Sequence, residues 1–188
     1  MKAILISIKP KYLAKILNGE KTIEIRKTMP KCDLPIDVYI YCTKEKEKCC
    51  FVDYRPCGNS GYLTTKLDCM GEELNSKVVA KFTLNKVEEI SLNREHFVND
   101  QYSTDDLDWQ ELIEKSCLSY KALDNYLQCE NGYAWHIDDL VIFDRPKELS
   151  EFSVRCPKAD VKFNGVKGKM LAYKPLTKAP QNFCYVEV

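Results

Sequence analysis

Histidine is nearly missing from this chain. Its 188 residues include two, His96 and His136, so a three-histidine zinc centre is excluded. Glycine is scarce, with seven residues. None falls in a G-x-x-x-x-G-K phosphate loop or a G-x-S-x-G elbow, and H-E-x-x-H is absent. No apolar run reaches the roughly 18 residues that a membrane-spanning helix needs, so no membrane partner is expected. The opening MKAILISIKPKY is too short in apolar residues for a secretory leader and reads as a strand. Net charge is missing too, since 28 Lys and Arg balance 28 Asp and Glu.

Cysteine, by contrast, is abundant, with ten residues. Without a leader, that number points to mostly free thiols in a reducing, cytoplasmic setting. Several occupy places where a strand would put a small apolar residue, as Cys42 and Cys184 do. Cys49, Cys50, Cys57 and Cys69 could supply four thiolates to a structural zinc. Their spacing lacks paired C-x-x-C knuckles, and neighbouring Cys49 and Cys50 are awkward for chelation. A Cys-rich loop is the plainer reading, and no cofactor is expected.

The balanced charge hides a segregation. Residues 1–50 hold eleven basic against six acidic residues, 152–188 hold seven against two, and 88–151 hold five against sixteen. Such a chain can present a basic face without a basic total, although two ordinary solvated surfaces explain the numbers as well.

Periodicity sets the organisation. Residues 2–8 form a buried strand, and Pro10 to Asn18 a short helix with Pro at its start and Asn18-Gly19 at its end. Thr22, Glu24 and Arg26 alternate with Ile23 and Ile25 in a second strand. A third, over 36–43, turns Ile36, Val38, Ile40 and Cys42 to one side and Tyr39 and Tyr41 to the other. Residues 44–76 read as a Cys-rich insertion, a loose hairpin at most. A strand is expected over 77–87, and helices over 105–115, capped by Ser103 or Thr104, and over 119–128, within an acidic segment at about 100–130. Residues 133–144 give one or two strands, a connecting segment follows, and FCYVEV closes the pattern. One domain over 1–188 is expected, of the α+β class, its short strands curling into a small mixed β-barrel flanked by helices.

The most informative stretch is IKPKYLAKILNGEKTIEIR, residues 8–26. Glu24 and Arg26 lie two apart on a strand, about 6.5–7 Å between Cα atoms, with side chains on one face. A carboxylate there can orient a guanidinium and leave part of its fork for a phosphate or a base edge. Lys21 reaches the same space from the turn. Lys9, at the helix N-terminus, is disfavoured by the helix dipole, a conflict that a nearby anion would relieve. An ordinary surface ion pair on an exposed strand is the bland alternative.

At these residues the chain resembles the ASCH domains (activating signal cointegrator homology) of the PUA-like superfamily, those of bacterial and phage-type proteins in particular. The pattern G-x-K-x-x-E-x-R falls on Gly19, Lys21, Glu24 and Arg26, with weaker likeness in GYAWHIDDLVIF and APQNFCYVEV. The likeness takes in residues 1–43, about 77–90 and 133–188. It implies a PUA-like barrel with a cleft beside the first helix, and binding of RNA, another single-stranded nucleic acid or a nucleotide. Lys9, Lys21 and Arg26 would then meet phosphate or base, Glu24 would position them, and Tyr12, Tyr41 and Trp135 are the candidate stacking aromatics. Protein partners are not legible.

The alternative is a hydrolase. Some ASCH proteins resemble amidohydrolases of acetylated cytidine with a K-T-x-T-x-R arrangement. Here KTIEIR keeps Lys21 but puts Glu24 at the second threonine position, and a carboxylate cannot replace an activated hydroxyl. Ribonuclease chemistry would draw on Lys21, Glu24 and His136, the last oriented by Asp138.

Overall fold

The computed structural model describes residues 2–54, 59–65, 71–93, 101–128, 130–163 and 166–188. Strand β1, Lys2–Ile8, is the organising element. Its residues Ala3 to Ile6 are wholly buried, because it lies inside a seven-stranded sheet and is covered on both faces. Towards one face Ile4, Ile6 and Ile8 pack with Leu13, Ile16 and Leu17 of helix α1, Pro10–Leu17. Towards the other, Ala3 and Leu5 meet Tyr39, Tyr41 and Phe152. Burying each such branched side chain contributes about 1.5–3 kcal/mol.

β1 runs parallel to β3, Ile36–Cys42, and antiparallel to β13, Phe183–Glu187. Beyond β3 come β6, Val78–Leu84, and β10, Asp138–Lys147; beyond β13 come β11, Ser153–Phe163, and β12, Val166–Pro175. A second sheet joins β2, Ile23–Arg26, to β9, Gly132–His136, and then to β7, Val87–Asn93, and β8, Gln101–Ser103. Its core gathers Ile23 and Ile25 with Ile90, Tyr102 and Ala134, against Leu112 of α2, Trp109–Ser116, and Leu123 and Leu127 of α3, Tyr120–Leu127.

The α+β class stands. As described, however, the strands form separate sheets that do not close into a barrel. Two further expectations change. Helix α2 begins later than the acidic run suggests, because Asp108, not Ser103 or Thr104, caps it by accepting from the Gln110 and Glu111 amides. Thr104 instead turns the preceding loop, its Oγ1 accepting from the amides of Asp106 and Leu107. The segment after β10 is not a mere connection but the β11–β12 ribbon, which alternates too irregularly around Pro157 to announce itself.

The hairpin of β4, Lys48–Tyr54, and β5, Asn59–Thr65, is not loose. It is fastened to α1 by Asn18, which donates to Tyr62 O at 2.6 Å and accepts from Tyr62 N at 2.8 Å. Thr64 Oγ1 also donates to Pro10 O at 2.9 Å.

Candidate nucleotide-binding cleft

The alternation of β2 creates the site. Ile23 and Ile25 face the second core, so Glu24 and Arg26 must face the opposite way, towards α1 and β1. Gly19, just past the C-terminus of α1, takes φ +76, which a glycine adopts freely. The chain can then reverse so that Lys21 enters beneath Glu24. The result is a cavity of about 520 Å³. Its walls come from β1 (Ser7, Ile8), Lys9 at the N-cap of α1, α1 itself (Lys11, Tyr12), β2 (Glu24, Arg26), α3 (Ala122, Tyr126) and the turn before β13 (Gln181, Asn182). That volume lies within the range of small-molecule sites.

The floor is a buried charge triad. Glu24 Oε2 is 3.3 Å from Lys21 Nζ and Glu24 Oε1 is 3.1 Å from Arg26 Nη2. Lys21, 2% exposed, also donates to the carbonyls of Ile23 and Ser116, each at 2.7 Å, so all three ammonium protons have acceptors. Burial lowers the Lys21 pKa, against the opposing pull of Glu24. Arg26 Nη2 donates to Ser7 O at 2.9 Å and Nη1 to Asn182 Oδ1 at 3.0 Å. Only its Nε is buried without a partner. The guanidinium is therefore more fully committed to the protein than the spacing suggested. It braces the cleft wall and does not offer an open fork.

The free polarity lies at the rim. Among the charged residues that line the cavity, Lys9, Lys11, Lys21, Arg26 and Lys27 outnumber Glu24 and Glu45, so its field is positive. Lys9 has its relieving anion within the protein, Glu45 Oε1 at 3.6 Å. Lys11 Nζ stands 4.7 Å from the Tyr12 ring centroid, and Lys27 Nζ 5.6 Å from that of Tyr126. Tyr126 is 39% exposed, and partial burial raises its phenol pKa, so it stays neutral near pH 7.

Of the residues singled out by sequence, Lys9, Tyr12, Lys21, Glu24 and Arg26 do come together here. Tyr41 and Trp135 do not, and the stacking role expected of them is withdrawn. Tyr41, 7% exposed, belongs to the core under the other face of β1. Trp135 is fully buried, with its ring 5.2 Å from that of Phe183. His136 lies outside the cavity lining, bonded to Glu88 and not to Asp138. Burial pushes the Glu88 carboxyl up, but hydrogen bonds from His136 and Thr104, with the charges of His136 and Lys86, hold it below its ordinary 4.5. The residues missed were Lys11, Lys27, Tyr126, Gln181 and Asn182. Tyr126 reaches the site from a helix a hundred positions away, and its own sequence gives no sign of that.

Among the described residues no group of three or more His, Cys, Asp and Glu is placed to hold a metal. Of the four cysteines considered for zinc, Cys49 is buried and free, Cys50 is disulfide-bonded, and Cys57 and Cys69 lie outside the described residues. The disulfide removes Cys50 as a thiolate, while Cys32, Cys42, Cys49, Cys117, Cys156 and Cys184 are free thiols. Cys42 and Cys49 share a hydrogen bond that, with burial, pushes the Cys42 thiol strongly upward, so it behaves as inert core.

A cleft bounded by a first helix, a central strand and the turn into a last strand is thus set in an α+β fold. No family model and no curated protein matches the chain. Solved structures do. A serine-to-alanine variant of the ASCH protein of Zymomonas mobilis aligns over 98% of this chain and 88% of its own, at 16% identity and a TM-score of 0.53. The crystal structure of ASCH from the same organism aligns over 78% of this chain and 73% of its own, at 19% identity and a TM-score of 0.48. The first of these shows the fold: the chain is built as an ASCH protein is built. Among the described residues no helix is long and apolar enough to cross a membrane.

Proposed function

We propose that the chain binds RNA, or another single-stranded nucleic acid, with one nucleotide entering the cleft, and that it does so in the cytoplasm. The observation that carries this is a cavity of nucleotide size whose rim sets Lys11 and Lys27 beside the tyrosines Tyr12 and Tyr126. Aromatic faces next to cations suit a base and its phosphate, and stacking contributes about 1–3 kcal/mol per base. Glu24, 12% exposed and lining the cavity, keeps acceptor lone pairs beyond those that meet Lys21 and Arg26, and these can take an exocyclic amine. The likeness of residues 8–26 to ASCH domains points the same way.

The test is titration of labelled single-stranded RNA, duplex RNA, DNA and nucleoside monophosphates at two salt concentrations. The rim substitutions Lys27→Ala and Tyr126→Ala should each weaken binding about fivefold to a hundredfold and leave the fold intact. Unchanged binding by both would refute the site.

A second reading, hydrolysis of RNA or a modified nucleoside, has one observation behind it. A lysine whose pKa burial has lowered is what a general base needs. Lys21 would have to give up one of its three acceptors to act so, and His136 stands outside the cavity. The same titrations, run onward on a gel and by chromatography of the nucleosides, decide between binding and turnover.

A further inference from the structure

The hydrogen-bonding groups on the cleft floor are nearly all engaged. Lys21 directs its three protons to Ile23 O, Ser116 O and Glu24. Arg26 directs Nη1 to Asn182 and Nη2 to Ser7 O and Glu24, and its remaining proton, on Nε, is buried. The Asn182 amide donates to Thr28 Oγ1, and the Ser7 hydroxyl donates to Pro180 O at 2.6 Å.

Glu24 is the exception. An ionised carboxylate has about four lone-pair sites, two on each oxygen. Lys21 meets Oε2 and Arg26 meets Oε1, and among the described residues no other donor reaches the group. One site therefore remains on each oxygen of a side chain that lines the cavity. The two cations also hold the carboxylate in place, so its free acceptors are a fixed, neighbouring pair.

Nucleobases differ in what they can set against such a pair. The Watson–Crick edge of guanine carries N1–H beside the N2 amine, two donors in a row. Adenine and cytosine each carry one amine beside a bare ring nitrogen, whose lone pair would oppose the second oxygen. Uracil carries a single N–H between two carbonyls. Only guanine satisfies both oxygens at once, and every other base leaves an acceptor unmet or facing another acceptor, which is costly in a partly buried site.

We infer that the cleft selects guanine, with Glu24 accepting from N1–H and from the N2 amine of the base. The inference rests on the nucleotide reading of the cleft and adds the identity of the base. Lys21 and Arg26 are then positioning residues, which fix the carboxylate without touching the nucleotide. Tyr12 and Tyr126, at the rim, supply faces on which any base can stack, so the choice among bases falls to Glu24.

The test is calorimetric titration of the wild-type protein with GMP, IMP, AMP, CMP and UMP. Inosine keeps N1–H and differs from guanosine only in lacking the 2-amine. GMP should bind about tenfold or more tighter than AMP, CMP or UMP, with IMP between them. Glu24→Gln, its fold checked by circular dichroism, sets one acceptor and one donor in place of two acceptors. It should weaken GMP about tenfold and narrow its margin over AMP. If that variant does not fold, the wild-type series decides alone. Equal binding of GMP and IMP overturns the two-oxygen contact, and so does a preference for any other base. Equal binding of all the monophosphates, each weakened by Lys27→Ala, overturns the guanine selectivity and upholds the cleft as a nucleotide site. Binding of no monophosphate refutes the nucleotide cleft and the guanine selectivity with it.

Discussion

Arg26 and Asn182 are 156 positions apart in the chain and 3.0 Å apart in space, with Nη1 donating to Oδ1. Asn182 is itself held, since its Nδ2 donates to Thr28 Oγ1 at 3.0 Å and its carbonyl accepts from Ser7 N at 3.3 Å. The amide thus bridges the far end of β2 to the start of β13. Replacing Asn182 with Leu should lower stability by about 1.5–3 kcal/mol, the usual worth of a hydrogen bond to a charged group. Chemical denaturation measures this. Ligand affinity should fall as well, because the Arg26 side chain loses its brace.

Lys21 should be more costly to remove than any rim lysine. In Lys21→Met, the Ile23 and Ser116 carbonyls lose their donor and Glu24 keeps only Arg26. Breaking a buried pair from one side costs about 3–5 kcal/mol. Lys27→Ala, with its ammonium near Tyr126, should cost less than about 1 kcal/mol. Comparison of the two unfolding midpoints tests the difference. Equal losses would mean that the triad is not load-sharing.

The Lys21 shift also fixes a sign. Its folded pKa lies below 10.5, so the folded form binds fewer protons than the unfolded chain between those two values. Its contribution to stability therefore rises as pH climbs through that interval. The wild-type stability curve minus that of Lys21→Met, measured from neutral pH to 10.5, should slope upward.

Glu88 gives the opposite window. Its folded pKa is held below 4.5, so its stabilising contribution is present above 4.5 and is lost as pH falls through the folded value. Glu88→Gln should flatten the acid limb of the stability curve and leave affinity in the cleft at neutral pH unchanged. An acid limb identical to the wild type's would show that the Glu88–His136 bond carries no weight in the fold.

Asn18 fastens the β4–β5 hairpin to α1 through both backbone groups of Tyr62. Asn18→Ala should cost about 1 kcal/mol or less, because the site is solvent-facing, but it should speed amide exchange at Tyr62 well above that at Leu5. Unaltered exchange at Tyr62 would place the hairpin's anchorage elsewhere.

How much of this was legible in the sequence depends on the reach of each contact. The stretch from Pro10 to Arg26 declared itself, because proline, glycine and alternating isoleucines are local signals and the triad is made within six residues. Tyr41 and Trp135 misled because an aromatic on a strand looks the same whether its face meets solvent or a second core layer. Here Phe152 and Phe183 supply those layers from far along the chain. Tyr126, Asn182 and the β11–β12 ribbon were silent for the same reason: tertiary pairing, not local pattern, gives them their roles. The disulfide at Cys50 was likewise invisible to cysteine counting, which reads compartment and not proximity.

The pairing of β1 with β13 has a consequence for synthesis. Ser7 is translated long before Asn182, yet both bond to Arg26. A nascent chain still lacking β13 has the lysine, the glutamate and the arginine but no far wall for the cleft. Contacts of such long sequence separation form late and slowly. A chain in synthesis therefore gains its pocket only once β13 has been made and has met β1.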